Sequence, residues 1–408
     1  MQHLLPALRR VRLRLQAVPF EGNNPPLPEE NDILVPFRSA SIREFSLDIT
    51  RTTFWGLSFS DSESFLSALH RVLNWASLTD LSLHQYSGTF QWLLDTLRKC
   101  QQVKTLFLSY EPVYSLEIPS SGLTTLPKLT KFKLRYGQDD EKNICGFLEA
   151  PMLTHFSFES TKFISSSDMN DVFRSPSSSE PRFRALQSFL LRCTNLKSLT
   201  LRPLYLSVRD MISIFETVPQ IEHMVFDDTP PGYNPDILGR GGGPSTFPFS
   251  EFRHQLGPLL QARNSNHPRG TNSVSYPLLP NIHSLSIIYI YIDPLLAERI
   301  MEICKHRLPC TSSGRPAASE DDNTAISESS SYAPLKRIKI TGSKLDSTVA
   351  IEDEVTRYAE LVGIKIGKDL DLDISYPWGT AMEEEDLPPT PTLEPGDGFS
   401  ILQTSFTA

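Results

Sequence analysis

The chain has 408 residues, a net charge of −9, 39% hydrophobic residues and five cysteines. That length suits two or three ordinary domains or one long repeat array, and the acidic balance speaks against a dedicated nucleic-acid binder, whose domain is usually basic. Cys100, Cys145, Cys193, Cys304 and Cys310 are odd in number and form no CxxC pair, against a disulfide scaffold or a structural zinc site.

The first sixteen residues, MQHLLPALRRVRLRLQ, carry arginines within their apolar stretch and do not read as a signal-peptide core. No run approaches the ~18 apolar residues of a membrane span. The expected setting is the cytoplasm or nucleus.

In chain order, one pattern recurs: apolar, two residues, apolar, one residue, apolar. It stands first at Leu8-Val11-Leu13, then, past the loop-like EGNNPPLPEEND at 21–32, at Ile42-Phe45-Leu47. Residues 61–73 read as an amphipathic helix with an acidic start, carrying Phe65, Leu66, Leu69, Val72 and Leu73 on one face. Leu78-Leu81-Leu83 follows, then a helix over 89–97 with Phe90, Leu93, Leu94 and Leu97. Three close-set copies come next: Val103-Leu106-Leu108, Leu129-Phe132-Leu134 and Leu153-Phe156-Phe158.

The serine-rich residues 164–182 precede Leu196-Leu199-Leu201. A helix opening at Ser207, with Asp210 completing a capping-box-like start, leads to Ile221-Met224-Phe226. The Gly-, Pro- and Asn-rich residues 229–277 separate it from Ile282-Leu285-Ile287. Asp293-Pro294 opens another helix, residues 309–332 lack large apolar groups, and Leu335-Ile338-Ile340 is the tenth copy. Residues 355–361 read as a last helix, followed by Gly363 and the alternating IKIGKDLDLDI, a terminal strand. The insertions near 164–182, 229–277 and 309–332 are expected to be disordered, as is the acidic, Pro-rich tail 377–408, which cannot bury enough apolar surface to offset its ordering entropy.

The first apolar positions are 34, 36, 25, 26, 24, 43, 25, 61 and 53 residues apart, and Pro6, Pro127, Pro151, Pro219 and Pro280 stand two residues before them. In the pattern, the last two apolar residues are two apart and face one side of a short strand. About 25 residues hold one strand, a return segment and two turns. Each unit exposes an apolar face that only its neighbours can bury, so stacking builds a parallel sheet over a continuous core. The expected fold over residues 1–376 is an α/β, leucine-rich-repeat-like solenoid, a horseshoe with parallel strands on the concave face and helices on the convex face.

The lead-ins CQQVKTLFL and CTNLKSLTL, with VPQIEHMVF, APMLTHFSF and LPKLTKFKL, resemble the repeats of fungal F-box/leucine-rich-repeat proteins. Two departures stand out. The position three beyond the last apolar residue holds Thr50, Tyr86, Glu111, Gly137 and Thr161 instead of a buried asparagine or cysteine ladder. The F-box of that family is an N-terminal helical module opening on a Leu-Pro-x-Glu-Ile-like segment. PPLPEENDIL at 25–34 has such an opening, but a repeat strand follows it in place of amphipathic helices. The resemblance implies a substrate-recruiting subunit of a ubiquitin ligase, with the ligase adaptor as a partner where the F-box is present.

Nothing in the sequence supports a catalytic site, cofactor or metal. GRGGGPS at 239–245 lacks the GK[ST] ending of a phosphate loop and reads as a flexible loop. Asp80/His84, His155/Glu159 and His223/Asp227 look like acid–base pairs, but residues four apart on one strand are separated by about 13 Å, far beyond hydrogen-bond reach.

The residues before, between and after the last two apolar positions form rows on the concave face. They come in blocks: basic (Arg10, Arg12, Arg14), acidic (Glu44, Asp48, Asp80), neutral around Phe107, strongly basic (Lys131, Lys133, Arg135), then mixed (His155, Glu159, Arg202, His223, Asp227). Blocked charge steers one orientation of a partner. Phe107, Lys131, Lys133, Arg135, His155, Glu159, Arg202, His223 and Asp227 are therefore the candidate partner-binding residues of a protein-binding scaffold. The alternative is a nucleic-acid or anionic-surface binder using the basic rows. The charges of the face are expected to be solvated and to contribute little to folding.

Overall fold

A computed structural model describes residues 8–16, 37, 41–50, 59–86, 89–110, 122–136, 144–160, 183–202, 208–227, 279–292, 333, 335–344, 351–361, 363–375 and 402–407. The insertions 164–182, 229–277 and 309–332 and the helix expected from Asp293 lie outside these residues. The chain divides into two units, Met1–Leu196 with Glu384–Ala408, and Lys197–Glu383.

In the first unit the strands are β1 (Arg10–Gln16), β2 (Glu44–Thr50), β3 (Asp80–Tyr86), β4 (Thr105–Tyr110), β5 (Thr124–Thr125), β6 (Lys131–Tyr136), β7 (Leu148–Glu149) and β8 (His155–Ser160). Strands β1, β2, β3, β4, β6 and β8 pair in sequence, every one parallel to the one before. Each sits on one apolar triplet. The pair β5–β7 makes a separate two-stranded parallel sheet. The return segments include α1 (Phe59–Val72), α2 (Phe90–Lys99) and α3 (Arg184–Arg192).

The second unit repeats the scheme with β9 (Ser198–Arg202), β10 (His223–Asp227), β11 (Ser284–Ile292), β12 (Arg337–Lys344) and β13 (Asp371–Ser375). These too pair in order and in parallel. Its helices among the described residues are α4 (Val208–Thr217) and α5 (Ile351–Leu361). The C-terminal strand β14 (Leu402–Thr407) pairs antiparallel with β1, placing Phe406 opposite Val11 and Leu402 opposite Leu15, so this part of the tail expected to be disordered forms a strand, while 377–401 lie outside the described residues. The fold is thus an α/β leucine-rich-repeat-like solenoid of sequential parallel strands, and IKIGKDLDLDI supplies its last parallel strand as the alternation predicted.

The apolar triplets explain the burial. Leu78, Leu81 and Leu83, Leu129, Phe132 and Leu134, and Leu196, Leu199 and Leu201 are all within 4% of full burial. Each such side chain contributes about 1.5–3 kcal/mol. Helices close over this face: Phe189 on α3 lies edge-on to Phe132 at 5.9 Å, and in the second unit Phe215 on α4 lies edge-on to Phe226 at 6.1 Å. Helix α2 opens at Thr89, whose hydroxyl accepts from the Trp92 amide at 3.3 Å. Helix α3 went unread in the sequence because its apolar positions lie beside the serine-rich segment.

The shared lead-ins have a physical role. Asn195 donates to the Pro151 carbonyl at 2.8 Å, and Asn281 in the same repeat position donates to Pro219 at 3.1 Å. At the position just after the first apolar residue, the Thr79, Thr130 and Thr154 hydroxyls donate to the Arg43, Lys104 and Thr130 carbonyls of the preceding repeat at 3.0–3.2 Å. In place of an asparagine ladder the first unit carries an aromatic one. Tyr86, Tyr110 and Tyr136 stand opposite one another on β3, β4 and β6, with rings 5.9 and 6.1 Å apart. Trp92 extends the stack from Tyr86 at 5.4 Å. A bulge makes this alignment: β3 has an extra residue between Leu83 and Tyr86, where Gln85 takes φ 51°.

Candidate open-face recognition site

The parallel register places the row residues side by side on the sheet face turned away from the helices. In the first unit the leading column is Arg10, Glu44, Asp80, Thr105, Lys131 and His155. The middle column is Arg12, Ser46, Ser82, Phe107, Lys133 and Ser157. In the trailing column, Asp48 faces His84, and Ser109, Arg135 and Glu159 follow in line. Sequence spacing ruled out histidine–acid contact along a strand. The register supplies an acid from the neighbouring strand instead, Asp48 opposite His84.

The middle of this face is a small cluster around Phe107. The His84 ring lies 4.4 Å from the Phe107 ring, tilted by 38°. The Lys133 ammonium lies 5.3 Å from the same ring centroid, within cation–π range. Burial lowers the His84 pKa, with Asp48 opposing and Arg12, Arg135 and Lys133 reinforcing the shift. Burial thus favours the neutral imidazole over the charged one.

The trailing column is not solvated as expected. Glu159 and Asp227 are 3% and 5% exposed, and Asp48 and Ser109 are also buried. Buried acids need partners. Glu159 receives hydrogen bonds from Arg135 Nε at 2.9 Å and Nη2 at 2.5 Å, with Lys133 Nζ at 3.8 Å. In the second unit Arg202 reaches Asp227 at 2.5 Å. In both, the arginine sits one strand before the acid. Arg135, Glu159, Arg202 and Asp227, read from sequence as contact residues, thus also hold the sheet together.

The remaining candidates are exposed. Lys131 lies outside these ion pairs, His155 sits beside the Thr154 hydroxyl with 2.8 Å to Nδ1, and His223 stands between Ser198 and Ser284 in the second unit. Further pairs join neighbouring strands: Arg10 with Glu44 in the first unit, Arg337 with Asp371 at 3.3 Å and Lys339 with Asp373 at 3.5 Å in the second. Among the described residues no three His, Cys, Asp or Glu side chains are grouped to hold a metal ion, and no described helix is long and apolar enough to cross a membrane. The face thus brings together an aromatic ring, exposed cations and acids already paired with arginine. Set against known protein families and curated proteins, the chain matches no family model and no curated relative.

Proposed function

We propose that this chain is a non-catalytic protein-binding scaffold that engages its partner through the open sheet face. By its resemblance to fungal F-box/leucine-rich-repeat proteins, it would serve as a substrate-recruiting subunit of a ubiquitin ligase in the cytoplasm or nucleus. The observation that carries the reading is the cluster at Phe107: a half-buried aromatic, with the His84 ring tilted against it and Lys133 beside it, on the open sheet face. Rigid, pre-positioned aromatics with flanking charges are what protein interfaces use as anchors.

The test is quantitative capture from a fungal lysate with the tagged full chain and its Phe107→Ala and Lys131→Glu variants. A protein partner is retained by the parent chain, lost by both variants, and only partly weakened by about 0.5 M salt. Capture that both variants leave intact would overturn the reading. Capture of nucleic acid, abolished by the same salt, would put the anionic-surface alternative in its place.

A further inference from the structure

We infer that the open face of the first unit recognises an extended peptide segment of acidic–aromatic type, with an aromatic side chain on Phe107 and His84 and adjoining carboxylates on Lys131 and Lys133. The inference rests on the protein-binding reading and names the chemistry of the partner.

Phe107 is surrounded by polar side chains. Its register neighbours are Ser82 and Lys133, and Thr105 and Ser109 flank it on the same face of β4. It is the single large apolar group among them, backed by the His84 ring at 4.4 Å. An aromatic partner residue placed there covers two rings at once and gains edge or offset stacking beyond its area burial.

Charge fixes what lies beside it. One strand further on, Lys131 is exposed and outside the ion pairs, and Lys133, part-exposed, has its Nζ 3.8 Å from Glu159, to which Arg135 makes the closer contact at 2.5 Å. On the opposite side stand Glu44, Asp80 and Asp48. A carboxylate is attracted on the β6 side of Phe107 and repelled on the β3 side, so the face orients its ligand. Neighbouring strands are about 4.8 Å apart and alternate residues of an extended peptide about 6.7 Å apart. A carboxylate two positions from the aromatic lies on the same side of the extended peptide and therefore reaches Lys131 or Lys133. A nucleic acid is less well served: its phosphates need a longer run of cations, and here the basic stretch is bounded by Asp80 and Glu159.

The experiment uses the full chain and fluorescein-labelled heptapeptides with Gly-Ser flanks around Phe-Asp-Asp, Phe-Asn-Asn or Ala-Asp-Asp, read by anisotropy. Phe-Asp-Asp should bind about five- to tenfold more tightly than either control, the size expected for losing one charge-assisted or one aromatic contact. Raising the salt should weaken Phe-Asp-Asp and leave Phe-Asn-Asn unchanged. Phe107→Ala and Lys131→Gln should each remove most of the preference, and Lys104→Gln, exposed on the same unit, should not. Lys131 is exposed, so its variant keeps the test decisive should Phe107→Ala disturb folding. Equal binding of all three peptides, or a Lys131→Gln variant that binds as the parent does, overturns the inference. So does a single-stranded oligonucleotide that displaces Phe-Asp-Asp at lower concentration than the unlabelled peptide. If the peptides fail but lysate capture still depends on Phe107 and Lys131, only the peptide chemistry falls; if capture depends on neither, the protein-binding reading falls with it.

Discussion

Arg135 on β6 lies directly opposite Glu159 on β8 and donates to its Oε1 from both Nε and Nη2, at 2.9 and 2.5 Å. The acid is buried and the arginine side chain 39% exposed. The pair is therefore a surface ion pair on one side and a buried one on the other. Its arginine cannot be removed without leaving a carboxylate in a site of reduced dielectric. Arg202 and Asp227 repeat the arrangement in the second unit at 2.5 Å.

Arg135→Gln is expected to destabilise the first unit by about 1–3 kcal/mol, the usual cost of a buried polar group deprived of its partner. Partial exposure of the arginine keeps it below the figure for a fully buried pair. The double change Arg135→Gln, Glu159→Gln should recover much of that loss. Denaturant unfolding of the two variants and of Glu159→Gln closes the cycle. Strict additivity would mean that the pair contributes no coupling.

This pair also marks where the sequence stops being legible. The strand positions were readable because the two-residue alternation and the ~25-residue interval both survive in a degenerate repeat. Lys131, Lys133 and Arg135 were readable as one basic row for the same reason. What the sequence could not separate was Lys131, exposed, from Arg135, tied to a buried acid, because the triplet pattern places all three basic residues on one face and carries no sign of how deeply Glu159 is buried. The Asp48–His84 juxtaposition and the tyrosine ladder needed the cross-strand register, and for Tyr86 a bulge that no local signal announces. Aligning the ten triplets by their last apolar residue puts Tyr110 opposite Tyr136 but leaves Tyr86 one residue out of step.

Tyr110 stands in the middle of the aromatic ladder, 1% exposed, with Tyr86 and Tyr136 on either side and Phe90 at 6.0 Å. Tyr110→Ala should cost about 3–5 kcal/mol, as large aromatic truncations in close-packed cores do. Tyr110→Phe should cost far less if stacking, and not the hydroxyl, holds the ladder. Thermal unfolding of both variants decides: equal losses would assign the stabilisation to the hydroxyl.

His70 and His84 both have pKa values lowered chiefly by burial, with the Lys99 charge adding to the effect at His70. A histidine whose folded pKa lies below its unfolded value, about 6.5, binds its proton first in the unfolded chain. Its contribution is intact above about pH 6.5 and lost as pH falls towards the depressed folded values. The melting temperature should therefore drop between pH 7.5 and 5.5. His70→Phe, which keeps a ring beside Trp75 and Trp92 at 6.1 and 5.9 Å, should flatten that dependence. A pH slope unchanged in both His70→Phe and His84→Gln would exclude these two groups as its source.

Cys100 and Cys193 close α2 and α3 in equivalent positions, each amide donating to the carbonyl three residues back at 3.0 Å. Both side chains are at most 1% exposed, and burial pushes both thiols up to about 12. The thiolate is the reactive form, so in the folded chain neither should react with iodoacetamide near pH 8 while the unit stays closed. Modification then requires opening, and its rate measures how often each repeat opens. Arg135→Gln should accelerate modification at both positions if the repeats of the first unit open together, as stacked units that share one core are expected to do. Acceleration at Cys193 alone, which lies in the repeat after the broken pair, would instead show that opening is confined to the neighbouring repeat. Mass spectrometry of the two cysteine-containing peptides over time distinguishes these outcomes, and rapid labelling of both in the parent chain would contradict their burial.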